Sequence, residues 1–402
     1  MEVLPRGHDT VRALLLKGVE IPNPLSLDIG PEVDPDRIAG RVTIFPGCRI
    51  YGAKTVISAG SRLGAEGPVT IDDCCLGPGV ELKGGYFSRS VFLRKSNMGL
   101  GAQVREGCLL EEEANGAHCV GLKQTILFPF VTLGSLINLC DCLMAGGTSR
   151  RDHSEVGSSY IHFNYTPNGD KATASLFGDV PRGVMLNQPP IFLGGQGGAV
   201  GPLITGYGTV IAAGSVLRDD VLDDGMLISS AALGARRRPA TRRAYPRLAR
   251  VVSKNLVYLA NLVALHEWYA SVRRPFFAAE DLGSLVYEGA LEVLAAAKRE
   301  RAKRLAALVA TVTPDGPGRR ELSERIGEVL ALFDGAEVPS GDQFLAAFWR
   351  AAGPSPGDYV ATVQALPPEV SAAGVQWLQQ IVDDLCARAG SLVPSMSLFA
   401  PA

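Results

Sequence analysis

Between Leu193 and Leu217 the chain reads LGGQGGAVGPLITGYGTVIAAGSVL, and a small or aliphatic side chain, or a threonine, returns at every sixth position: Leu193, Ala199, Thr205, Ile211 and Leu217. Ile204, Val210 and Val216 ride one place ahead, and Gly208 and Gly214 keep the same step. Ile44 and Ile50 show it earlier; in between it loosens to five and six, as in Ile71, Leu76 and Leu82. A step of six fits neither an amphipathic helix nor a half-exposed strand with strict alternation. It suits a parallel β-helix, in which each hexad supplies one short strand and one turn and sends an aliphatic side chain into a shared column. Glycine serves the turns, where positive φ costs it little. The alternative, a glycine-rich β-sandwich, calls for alternating runs separated by hairpin turns.

The hexad pattern defines a β domain over residues 37–235. Residues 1–36, with an amphipathic segment from Val11 to Val19, are expected to cap its first coil. From residue 236 to 402 the pattern becomes helical, with Leu256, Leu259, Leu262 and Val263 at three- and four-residue steps. EDLGSLVYEGALEVLAAAKRERAKRLAALVATV reads as a second long helix, and three or more shorter ones follow, for an all-α region of five or six helices. Trp268, Trp349 and Trp377 all lie there and read as core or interface anchors. The run KRERAKR, Lys298 to Arg304, reads as a solvated helix face.

Charge narrows the partners. Lys plus Arg number 39 and Asp plus Glu 41, so nothing global attracts the chain to nucleic acid or an anionic membrane. No uninterrupted apolar run approaches the roughly 18 residues that span a bilayer, and the opening MEVLPRGHDTVRALLLKG lacks the apolar centre of a secretion signal. A cytoplasmic protein with small-molecule or protein partners is expected. The eight cysteines show no C-x-x-C spacing and read as small buried residues in a reducing compartment, with no metal expected.

One segment departs from the aliphatic pattern. Between Asn138 and Gln188 lie Arg150, Arg151, Asp152, His153, His162, Asn164, Tyr165, Asn168, Asp170, Lys171 and Asn187. A β-helix interior is packed and apolar, so such side chains belong on outer faces or loops, where together they could line a cleft. Imidazole titrates near neutrality and can take a proton from a substrate ammonium, which makes His162 a candidate general base. The alternative is a structural histidine hydrogen-bonded to a neighbouring coil.

The run IFLGGQGGAVGPLITGYGTVIAAGSVLRDDV, with VIAAGSVLRDDV its strongest part, resembles the closing coils of the acetyltransferase domain in the bifunctional UDP-N-acetylglucosamine pyrophosphorylase/glucosamine-1-phosphate N-acetyltransferase family. FPFVTLGS (Phe128–Ser135) and HFNY (His162–Tyr165) extend the likeness upstream. The resemblance implies a left-handed parallel β-helix of hexapeptide repeats followed here by an all-α C-terminal domain, a homotrimer with clefts between prisms, and acetyl-CoA as co-substrate. It implies His162 as base and Tyr165 at the sugar phosphate. In another register, Asn164, Tyr165, Asn168, Gly169 and Lys171 match an Asn-Tyr-Asp-Gly phrase followed by a substrate-binding lysine. Asn138, Arg150 and Arg151 join the expected acceptor site. Gly194 or Gly195 would offer a backbone N–H to the thioester carbonyl, and Ala212 and Ala213 would let the pantetheine arm approach. The expected activity is N-acetyl transfer to an amino sugar phosphate or nucleotide sugar.

Departures from the family pattern bear on the substrate. Thr132 and Gly134 stand near a family arginine, Leu143 and Met144 replace a lysine pair, and PRGVMLNQPP follows Val180 as a loop insertion. The arginine expected near Ser230 is missing, although Arg236, Arg237 and Arg238 follow. No L-x-x-G-x-G-x-R phrase exists, so nucleotidyl transfer is not expected on this chain. Two further readings are a non-catalytic sugar-nucleotide-binding or scaffold protein, and a zinc site using His118, His153 and His162 at a trimer interface.

Overall fold

The computed structural model describes residues 6–165, 169–230, 237, 245–335, 337–353 and 357–399. Its first part is a parallel β-solenoid, consistent with a left-handed β-helix. Strands in successive coils pair in parallel, and partners stand one coil apart: Phe192 lies opposite Val210 and Leu193 opposite Ile211, a separation of eighteen residues or three hexads. Three strands per coil build a prism with three faces. The first face stacks ten strands, from Thr43–Ile44 to Leu227–Ile228. The second runs from Asp28–Ile29 to Val216–Leu217, and the third from Val56–Ile57 to Ile204–Thr205. Ile44, Leu63, Leu82, Met98, Leu133, Val156, Leu193 and Ile211 form one inward column, all buried. Helix α1 (His8–Leu16) buries Val11 and Leu14 in the same core.

The faces differ in what they present outward. First-face strands alternate, with Thr43, Arg62, Glu81, Asn97 and Glu155 turned away from the column. Third-face strands are buried at both positions, as in Cys75–Leu76, Ser90–Phe92, Cys108–Leu110 and Ser175–Phe177. A strand buried on both sides needs no polar alternation. What covers this face is the helical region.

After α2 (Val180–Gly183) the described helices are α3 (Leu248–Trp268), α4 (Arg274–Ala278), α5 (Gly283–Val309), α6 (Pro317–Ala331), α7 (Asp342–Ala352), α8 (Tyr359–Gln364) and α9 (Pro368–Leu392). A π-helical turn, Tyr269–Arg273, joins α3 to α4. The stretch Leu248–Ala278 is long and apolar enough to cross a membrane by composition, but 72% of its most apolar window is buried within the protein. Trp268 and Trp377 both stack on Phe344, and Trp268 Nε1 donates to Tyr359 Oη at 2.9 Å.

Helix α5 packs on the third-face strands Cys75–Leu76, Ser90–Phe92 and Cys108–Leu110, while α3 packs on Ser175–Phe177. Gly289 permits the contact: a Cβ there would stand 2.6 Å from Cys75 Sγ. Polar pins join the two parts. Arg273, 1% exposed, forks onto Glu112 and lies 3.7 Å from the Tyr359 ring centroid, and Tyr269 Oη donates to Glu111. Burial pushes the Glu111 carboxyl up to about 7, even with Arg273 nearby opposing the shift.

Candidate active site

His162 lies in the second-face strand Ile161–Phe163, opposite Ala199 in the next coil. Alternation turns the flanking Ile161 and Phe163 outward and sends the imidazole in, where it is 2% exposed. Nδ1 lies 2.5 Å from the Cys140 carbonyl oxygen, which can only accept, so Nδ1 carries the proton. Nε2, 2.8 Å from Ser175 Oγ, then accepts, while that hydroxyl oxygen takes the Leu203 N–H at 3.1 Å. Phe177 meets the ring edge-on. Desolvation drives the imidazole down to about 4, holding it neutral. The expected groove-facing base is therefore corrected within this protomer: the ring is sealed in the column, and both nitrogens are used. The structural alternative describes it.

A buried carboxylate, Asp141, lies near His162. It occupies the turn between the second-face and third-face halves of Asn138–Met144, at φ 59°. Its two oxygens meet Arg301 Nη2 at 2.6 Å and Asn164 Nδ2 at 3.1 Å. Arg301 comes from α5 and is 2% exposed, so this member of the KRERAKR run is not a solvated residue. The same guanidinium reaches the Lys171 carbonyl, and Asn255 Nδ2 donates to the Ala172 carbonyl at 3.0 Å. The loop expected to hold an acceptor is instead held against the helical domain. Sequence reasoning passed over Asp141 and Arg301, which lie 160 residues apart.

The remaining predicted residues fall at different edges of the prism. Asn164 and Lys171 belong to the second–third edge just described, and Tyr165 beside them is exposed. Asn168 lies outside the described residues. Asn138 is exposed on the second face, paired with Ile161. Arg150 sits at the third–first edge, where its Nη1 donates to the Glu113 and Phe130 carbonyls and to Thr132 Oγ1 at 2.9–3.1 Å. That guanidinium braces three coils, which corrects its assignment to a phosphate. Arg151 is exposed on the turn of the hairpin Gly147–His153. Leu143, at a position where the resemblance implied a lysine, is buried on the third face, which the helices cover.

Gly194, Gly195, Ala212 and Ala213 do come together. They stack in two successive turns of the first–second edge, where a Cβ on Gly194 would meet the Ala213 nitrogen at 2.4 Å and one on Gly195 the Ser158 carbonyl oxygen at 2.8 Å. Coil-to-coil contact thus requires both glycines, and Ala213 remains exposed. Exposed apolar residues flank this edge: Phe192, Val210 and Leu227 on the first face, and Ile161, Phe163 and Val200 on the second. Among the described residues no group of three His, Cys, Asp or Glu side chains could hold a metal ion.

A three-faced parallel prism of hexads with a stacked glycine–alanine edge has the architecture of a hexapeptide-repeat acetyltransferase. The chain resembles proteins named Bifunctional protein GlmU: it is 28% identical to that of Fervidobacterium nodosum over 222 residues, 54% of this chain and 43% of the relative. To that of Trichlorobacter lovleyi it is 25% identical over 217 residues, and to that of Kineococcus radiotolerans 26% over 222 residues, covering 42% and 40% of those relatives. The chain thus spans less than half the length of the curated relatives it matches. No protein-family model matches the chain.

Proposed function

We propose that this protein is an acyl-coenzyme-A-dependent acyltransferase acting on a sugar phosphate or nucleotide sugar, an amino sugar being the acceptor the resemblance favours. One observation carries the reading: the predicted coenzyme residues Gly194, Gly195, Ala212 and Ala213 converge on a single open edge with apolar flanks. A pantetheine arm laid there meets small side chains and backbone, and the apolar flanks suit a second prism packed against the same edge, the arrangement a homotrimer would use. In the reaction the acceptor ammonium first gives up one proton, the neutral nitrogen attacks the thioester carbonyl carbon, the C–S bond breaks, and a second proton from nitrogen ends on the sulfur, which leaves as the thiol of coenzyme A. With His162 withdrawn, the first proton passes to solvent along the open edge. A positioned base contributes roughly 10²–10⁴-fold, so turnover is expected to be slow.

A second reading rests on the sealed imidazole: a sugar-nucleotide-binding scaffold of the same fold that performs no transfer. Free thiol measured from acetyl-coenzyme A, with glucosamine 1-phosphate and other amino sugars as acceptors, separates the two. Acceptor-dependent thiol release that is lost in Ala213→Trp, a change at an exposed position, supports the transferase. Binding of a sugar nucleotide with no thiol release from any donor supports the scaffold.

A further inference from the structure

Helix α5 is pinned to the second–third edge at two places, by Lys54–Glu292 near one end of the prism and by Asp141–Arg301 further along. The edge between the pins is a ladder of turn residues with positive φ, among them Asp73, Arg89, Gly107 and Gln124. There the helix stands off the prism and leaves a cleft of about 540 Å³. Small-molecule pockets are typically about 300–1,000 Å³.

The lining is chemically uneven. Gln124 is 8% exposed and its Nε2 is directed to the Glu106 carbonyl at 3.4 Å, while its Oε1 is buried with no donor. A buried acceptor without a partner is destabilising, and the floor of a cleft is where a ligand could supply the donor. Three carboxylates also line the cleft: Lys123 holds Glu106 at 2.6 Å, Lys54 holds Glu292 at 2.7 Å, and Asp73 accepts the Lys54 backbone N–H at 3.0 Å, while Arg89 reaches Glu106 only at 3.9 Å and Arg299, at the mouth, has no ion pair among the described residues. Val91 and Val293 make the wall between floor and mouth apolar.

We propose that this cleft binds a hydroxylated phosphate ester, with the phosphate on Arg89 and Arg299 and a hydroxyl donating to Gln124 Oε1. Guanidinium groups match phosphate geometry, and the buried amide oxygen requires an O–H or N–H group some distance from the charge. An unsubstituted phosphate leaves Gln124 unmet, and an uncharged sugar leaves the arginines unmet. The cleft stands on a different edge from the glycine–alanine turns, so it is a second site, and its occupancy does not depend on the transferase reading.

The test is calorimetric titration of the full chain with glucose 6-phosphate, glucose and inorganic phosphate. The hexose phosphate is expected to bind at least about tenfold more tightly than either fragment, a difference of about 1.4 kcal/mol. Arg299→Ala, at an exposed position, is expected to weaken it about tenfold, and Ala296→Phe to abolish it by filling the cleft, with circular dichroism unchanged in both. Absence of binding to wild type, equal affinity for hexose phosphate and phosphate alone, or binding unaffected by both substitutions overturns the proposal. Thiol release reports on the other edge, so either proposal can fail while the other stands.

Discussion

Replacing Arg301 with methionine tests how much one buried ion pair contributes to holding the helical domain on the prism. Methionine keeps the helix propensity and much of the volume of the site in α5, so the perturbation is the loss of charge. Asp141 would then keep only the 3.1 Å hydrogen bond from Asn164, in a pair whose side chains are 2% and 4% exposed. Removing one partner of a buried ion pair strands the other charge, at a cost of about 3–5 kcal/mol. The three tryptophans lie beyond residue 245, so their fluorescence in equilibrium urea unfolding reads the helical domain. Arg301→Met is expected to bring that transition to markedly lower urea. The pair Asp141→Asn with Arg301→Met is expected to recover most of the loss, because asparagine tolerates the left-handed backbone at φ 59° and carries no charge. Asp141→Asn alone strands the guanidinium and is expected to cost about as much as Arg301→Met, giving a coupling of at least about 2 kcal/mol in the double-mutant cycle. A single variant within about 1 kcal/mol of wild type, or a double variant no better than Arg301→Met, refutes the pinning.

Two buried groups give the stability opposite slopes with pH. His162 is depressed to about 4 from its ordinary 6.5, so the folded state binds its proton more weakly than the unfolded chain, and stability present above pH 6.5 is lost as the pH falls through about 4. The contribution is roughly 3 kcal/mol by linkage; urea midpoints taken across that window should flatten in His162→Gln, and an unchanged slope would count against the sealed ring. Glu111 is raised to about 7 from 4.5, so stability present below pH 4.5 is lost as the pH rises through 7. Glu111→Gln should remove that decline and match or exceed wild type at pH 8; a variant less stable at pH 8 than wild type would show that the ionised carboxylate is the form the interface needs.

The prism was legible because each hexad repeats one physical demand, an aliphatic residue pointing inward, and the demand leaves a period that survives loop insertions. The orientation of His162 was written in the same code. In Ile161–His162–Phe163 the flanking residues are apolar and the central one polar, which invites the reading that the histidine faces water, yet the inward Val156 stands one hexad before it and the histidine shares that phase, as its pairing with the inward Ala199 shows. Register overrides residue type, and the exposed Ile161 and Phe163 become explicable as flanks of an open edge. The third face was also readable: strands such as Cys108–Leu110 that are apolar at successive positions need a cover on the outer side, and the Ala- and Leu-rich segment Gly283–Val309 supplies it. What no local pattern could reveal is the choice of partners across that cover. Asp141 meeting Arg301, and Glu112 meeting Arg273, are pairings of side chains about 160 residues apart, and Arg301, Glu112 and Arg273 each have like-charged neighbours within two positions. Arg299 and Arg301 stand two residues apart on one helix, and only the phase of α5 against the prism decides that one is buried on a carboxylate and the other is left at the mouth of a cleft. The helical domain thus converts a run that reads as uniform positive charge into one structural pin and one uncommitted cation, and the uncommitted cation is the one available to a ligand.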